Sequence, residues 1–132
     1  QCLAAAGLAI ATDTSQVQNA NAVDYAIDGK AYSLAASNPL GAPSGTSQGN
    51  STKALYLFSV DSGGTVTSTQ SDVVASGDDV DYPELPAGYA PVGAIKVVTN
   101  ASTTFDPGTT ALGATGVTTT YIDLNRVPAG TE

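Results

Sequence analysis

Residues 54–60 read Ala-Leu-Tyr-Leu-Phe-Ser-Val, apolar at every position but one. In a strand, Leu55 and Leu57 share one face, and Ala54, Tyr56, Phe58 and Val60 share the other. A strand that is apolar on both faces belongs in the interior of a sheet structure. The run is too short for a typical helix and rich in aromatic and branched residues, which also predicts a strand. Asp61-Ser62-Gly63-Gly64 follows as a turn, and threonine-rich residues 65–69 return as the second strand of a hairpin.

A second hairpin is predicted over residues 22–35, where Asp28-Gly29 is a preferred pair for a two-residue type I′ turn. That turn sets Ile27 opposite Lys30, Tyr25 opposite Tyr32 and Val23 opposite Leu34. Tyr25, Tyr32, Val23 and Leu34 then form the core face, and a one-residue slip would bury Asp24. Residues 7–12 predict a first strand, 92–99 a strand apolar on both faces except at Lys96, and 116–124 a final strand. Residues 17–21 have no clear pattern. Asp106-Pro107-Gly108 marks a further turn.

Two connections are long. Residues 37–52 carry no charge and no periodicity, which leaves a functional loop and a mobile surface loop as readings of equal standing. Residues 76–91 carry Asp78, Asp79, Asp81 and Glu84 with Pro83, Pro86 and Pro91. The prolines predict a stiff, extended path that interrupts strand pairing. Short strands broken by Gly and Pro predict an all-β fold: a single antiparallel β-sandwich or jelly-roll-like domain with extended termini. The expected organisation is an N-terminal arm or edge strand over 1–21, the sandwich over 22–126 and an extended tail over 127–132.

Composition narrows the function. The chain has 132 residues, a length that suits one domain, and 42% are hydrophobic. Only 12% are charged, about half the usual share, so Ser, Thr, Asn, Gln and Gly must build the polar surface. The net charge is −8, and Lys30, Lys53, Lys96 and Arg126 are scattered singly. Nucleic-acid binding needs clustered bases, so it is not expected. An acidic surface also repels anionic membranes, and no membrane partner is expected. Residues 2–11 are apolar and near the length of a signal core, but without a basic leader. They are read as an ordered strand or arm.

Candidate chemistry is sparse. There is no histidine, and Cys2 is the sole cysteine, so Ser-His or Cys-His catalysis and a Cys/His zinc site are excluded within one chain. Asp61-Ser62-Gly63 resembles the Asp-Ser/Thr-Gly turn of aspartic proteases, but Gly64 stands where that family usually has alanine. An ordinary hairpin turn accounts for the same residues. Asp78, Asp79, Asp81 and Glu84 have oxygen ligands suited to calcium, yet their spacing does not match an EF-hand loop. A solvated acidic loop is the preferred reading. No catalytic residue, metal ligand or cofactor is expected. The candidate interface residues are Leu3, Leu8, Ile10, Tyr82, Tyr89 and Val127. Tyr82 and Tyr89 combine contact area with a polar tip, and they are expected either at an interface or folded back on the core.

Tyr25–Gly29 with Tyr32, residues 55–66, residues 86–97, Thr104–Thr110 and Thr120–Leu124 together resemble small virion structural proteins of tailed bacteriophages. The resemblance spans roughly residues 22–128. It implies a non-enzymatic, surface-exposed component of the particle. The first expectation is a head decoration (cement) subunit on the outer capsid surface, with the major capsid protein as partner and self-association as a homotrimer. The alternative is a fibre or adhesin-like module that binds a host-cell receptor.

Overall fold

The computed structural model describes residues 2, 3 and 5–124, with Asn38 described by its backbone only. Ten strands form among them, and no helix. They are β1 (Leu8–Ile10), β2 (Val17–Asn19), β3 (Val23–Ile27), β4 (Lys30–Leu34), β5 (Asn38–Gly41), β6 (Thr52–Val60), β7 (Val66–Gln70), β8 (Val74–Ala75), β9 (Ala90–Thr99) and β10 (Val117–Asp123). A five-stranded antiparallel sheet runs β10-β9-β6-β7, with β8 also paired to β6. A three-stranded sheet runs β1-β2-β5, and β3-β4 is a separate hairpin.

Strand β6 is the interior strand that its pattern predicts. Residues 54–60 are all buried, and β6 pairs with β9 along one side and β7 along the other. Its two apolar faces serve two cores. Ala54, Tyr56, Phe58 and Val60 join Val92, Ile95 and Val97 in the main core, which the β1-β2-β5 sheet and the hairpin cover with Leu8, Val17, Val23, Tyr25, Leu34 and Leu40. On the opposite face Leu57 packs with Ala94 and Leu124, and Tyr82, Leu85 and Ile122 close over them. The fold is an all-β sandwich in which the second layer covers one face of the large sheet. The proline-rich connection after β8 covers part of the other. That connection contains no regular strand, and its carboxylates Asp78, Asp79, Asp81 and Glu84 are exposed. Pro91 enters β9 beside a register shift at Phe58/Ser59. Such a bulge accommodates a residue with no backbone N–H to give the ladder.

The β3-β4 register is the one the Asp-Gly turn dictates, with Val23↔Leu34, Tyr25↔Tyr32 and Ile27↔Lys30 paired. Asp28 (φ 51°) and Gly29 (φ 77°) both take positive φ, as a type I′ turn requires. Tyr25 and Tyr32 stack with ring centroids 5.5 Å apart. The Asp24 carboxylate accepts a 2.9 Å bond from Ser33 Oγ on the exposed face.

The structure resolves two alternatives that the sequence left open. The segment expected as an N-terminal arm or edge strand packs into the sandwich: Cys2 bridges to Tyr25, and Cys2, Ala6, Leu8 and Val17 lie in the main core. Burial of these apolar side chains within their own chain outweighs any extended projection. Within that segment β1 is an edge strand, and residues 17–19 become β2. Residues 37–52 are not a mobile loop. They form β5 and then a strap along the outer edge of β7. Ser44 Oγ donates to the Ser68 carbonyl at 3.0 Å, Thr46 N donates to Gln70 Oε1 at 2.8 Å, and Gln70 Nε2 donates back to the Thr46 carbonyl. A Cβ on Gly45 would overlap the Gln70 side chain, so glycine is what allows this close approach. The tail expected over 127–132 lies outside the described residues.

Candidate functional site

Polar side chains that are rare inside a core are the first place to look for chemistry. A large one is Gln48, fully buried at the end of the strap. Its backbone exchanges two bonds with Phe105, at 2.8 and 3.0 Å. Its Nε2 donates to the Val97 carbonyl at 3.1 Å, and its Oε1 accepts from the Tyr56 hydroxyl at 2.7 Å. The Tyr56 oxygen in turn accepts from Gln70 Nε2 at 3.0 Å. Tyr56 meets Phe105 edge-on at 6.0 Å. The network is closed: every donor and acceptor serves to fasten the strap and the β7 edge to β6 and β9.

The other buried polar groups are also architectural. Asn19 Nδ2 donates to the carbonyls of Asn21 and Ala35. Ser71 Oγ accepts from Leu55 N–H at 2.8 Å, and Thr99 Oγ1 donates to the Gly49 carbonyl at 2.7 Å. No buried side-chain nitrogen or oxygen lacks a partner among the described residues.

Asp61 is a turn residue. Its Oδ1 accepts from the N–H of Gly63 (2.8 Å) and Thr65 (2.9 Å), and its carbonyl accepts from the Tyr25 hydroxyl (2.8 Å) and the Gly64 N–H. The carboxylate that would have to face a second aspartate in a protease dyad is engaged in closing its own hairpin. Among the described residues, no three His, Cys, Asp or Glu side chains gather where a metal ion would be held.

A groove of about 370 Å³ lies beside β7 and β8, lined by Gln70, Asp72, Asp79, Asp81, Tyr82 and Glu84 among others. Its walls are polar and acidic, and it holds no histidine, cysteine or base paired to a hydroxyl nucleophile. Of the candidate interface residues, Leu3 is 60% and Ile10 37% exposed. Leu8 is buried: its side chain fills the notch left by the missing Cβ of Gly93 in β9. That placement withdraws Leu8 from the surface on which it was expected. Tyr82 is half-buried against the smaller core, so it folds back on its own domain, and Tyr89 is half-buried. Val127 lies outside the described residues. Among the described residues Val73, at 36% exposure, is a further exposed large apolar side chain, and its place in the sequence carries no signal for it. Leu3, Ile10 and Val73 lie on separate segments.

Two titratable groups are sealed in. Burial pushes the Cys2 thiol from its ordinary 9.0 up to about 11 and the Tyr56 hydroxyl from 10.0 up to about 12. Burial also raises Tyr25 and Tyr121. A pKa raised by folding means the native state holds the proton more tightly than the unfolded chain. The resulting stability is complete below the ordinary value and is lost as pH rises through the folded value. The thermal midpoint should therefore hold from neutral pH to about 9, then fall between about 9 and 12. Tyr56→Phe should remove part of the fall above pH 10. A midpoint that is flat to pH 12 would show that these groups are not sealed.

Comparisons with family models, curated proteins and solved structures find no match for the chain.

Proposed function

We propose that the chain is a non-enzymatic virion structural protein, a decoration subunit that binds the outside of a phage head and contacts the major capsid protein. The observation that carries this reading is the closed hydrogen bonding of the interior. Among the described residues the buried polar side chains are all hydrogen-bonded within the fold, and Asp61 is committed to its turn. What remains is a stiff body with an uncharged-polar and acidic skin. A net charge of −8 suits the outer face of a head, because the inner wall faces packed, anionic DNA. The segment resemblance set out above points the same way.

A subunit of this kind does no chemistry. It buries surface where capsid proteins meet, and binding only the closed arrangement raises the free energy needed to open those junctions. About 1–3 kcal/mol per copy is enough, because many equivalent sites act together. The acidic groove with Tyr82 favours one second reading, a fibre or adhesin-like module that holds a host-surface ligand there. Stripping the protein from particles and adding it back distinguishes the two. Decoration predicts rebinding and a recovered resistance to heat or pressure. Rebinding without a change in resistance, together with attachment to host cells, would favour the adhesin.

A further inference from the structure

We infer that the free edge of β10 is a self-association surface, and that its occupant is β10 of a second copy, paired antiparallel about a two-fold axis through Tyr121. Strand β10 ends the large sheet, and at seven residues it is the longest terminal strand of the fold. The direction of its backbone groups follows from its register. Asn100 N–H donates to the Gly116 carbonyl and Leu124 N–H to the Val92 carbonyl, at the two ends of an unbroken β9-β10 ladder. Bonding alternates along an antiparallel pair. Thr118, Thr120 and Ile122 therefore bond to β9, whereas the N–H and C=O of Thr119, Tyr121 and Asp123 point away from the sheet. No described residue takes these outward groups. The Thr119 hydroxyl is engaged with the Leu112 carbonyl, and the Asp123 carboxylate accepts from Leu8 N–H.

The opposite edge of the same sheet shows what protection looks like in this fold. The Ser44–Thr46 strap runs along β7, taking the outward Ser68 carbonyl and bonding the Ser68 and Gln70 side chains. Among the described residues strand β10 has no such cover, and it contains no proline, bulge or lysine, the usual devices that blunt an edge. Residues 117–122 are uncharged in a chain of net charge −8, and the one charge of the strand, Asp123, falls at the end of the seam opposite Thr119, so two like-charged copies approach with little repulsion. The pattern is also self-complementary. With Tyr121 opposite Tyr121 of the second copy, Thr119 falls opposite Asp123, and all three outward residues exchange both their bonds. On the outer face Thr120 then sits opposite Ile122. The seam is two-fold, in contrast to the three-fold contact expected from capsid junctions. It is small beside the roughly 1,600 Å² of a standard interface. Association is therefore weak in free solution and strong where copies are concentrated on a common surface.

Sedimentation equilibrium across a concentration series, with amide hydrogen exchange on the same samples, tests this inference whatever the protein decorates. A reversible monomer–dimer equilibrium is expected, with protection at Thr119, Tyr121 and Asp123 that grows with concentration. Thr120 is exposed, and in the seam it lies diagonal to its own symmetry mate. Both Thr120→Lys and Thr120→Glu should therefore weaken dimerisation by roughly fivefold or more. A urea midpoint close to that of the parent chain controls for folding. A partner of fixed charge would respond to the two variants in opposite directions, and that outcome overturns the second copy as occupant. So does a chain that is monomeric up to about 1 mM with these amides unprotected, or an oligomer that neither variant affects.

Discussion

Phe58→Ala should cost about 3–5 kcal/mol of folding stability, read as a lowered midpoint in urea at constant slope. The size follows from where the ring sits. Phe58 is fully buried in the main core, on the β6 face that looks toward the second layer. Its backbone is paired on both sides, to Ser68 of β7 and Gly93 of β9. The strand cannot shift inward to fill the space, so a cavity remains in addition to the lost transfer energy. Gly93 sharpens the effect. It has no side chain, Leu8 occupies its notch, and a Cβ there would come within 2.8 Å of the Ile122 carbonyl. Collapse from that side is limited by backbone. Domains of this size have about 5–15 kcal/mol in total, so the variant should be close to unfolding at moderate temperature. A loss under about 1 kcal/mol would place Phe58 outside the core.

What made Phe58 readable from sequence is local. Six apolar residues in a run of seven force a two-faced strand, and a turn on its C-terminal side fixes its end. The β3-β4 register was equally readable, because a two-residue Asp-Gly turn allows only one pairing of its flanks. The N-terminal strands were not. β1 and β2 have three residues each, too few for a period to show, and Leu8 finds its partner Gly93 far along the chain. The strap was illegible for a different reason. Ser44, Thr46 and Gln48 are held by side-chain bonds to Ser68, Gln70 and Tyr56, and such bonds leave no hydrophobic pattern. The strand character of residues 117–123 showed in their alternation, but its position at the sheet edge did not. Strand order is a property of the whole chain.

The strap also carries the second large effect. Gln48→Ala should cost about 2–4 kcal/mol, the sum of a buried cavity and of partners left unpaired. In the parent chain the amide links three elements: it accepts from Tyr56 on β6, donates to Val97 on β9, and belongs to a residue whose backbone is bonded to Phe105. Truncation leaves the Tyr56 hydroxyl without an acceptor in a place water does not reach. Tyr56→Phe removes the hydroxyl instead and should cost less, about 1–2 kcal/mol, since only Gln48 Oε1 and one Gln70 donor lose a partner. The two residues share one network, so the double variant should cost less than the sum of the singles by at least about 0.5 kcal/mol. Strict additivity would mean that the Gln48–Tyr56 bond contributes nothing, and that the strap is held by its other contacts, those of Ser44 and Thr46 and the Gln48 backbone bonds to Phe105. The consequence reaches beyond stability. With Gln48 gone, the strap loses its buried anchor at one end, and the β7 edge it covers becomes a second open template for strand pairing. Gln48→Ala should therefore aggregate on partial unfolding more readily than Phe58→Ala at matched stability, as measured by light scattering at each variant's own midpoint. Equal scattering would show that the strap does not protect the edge.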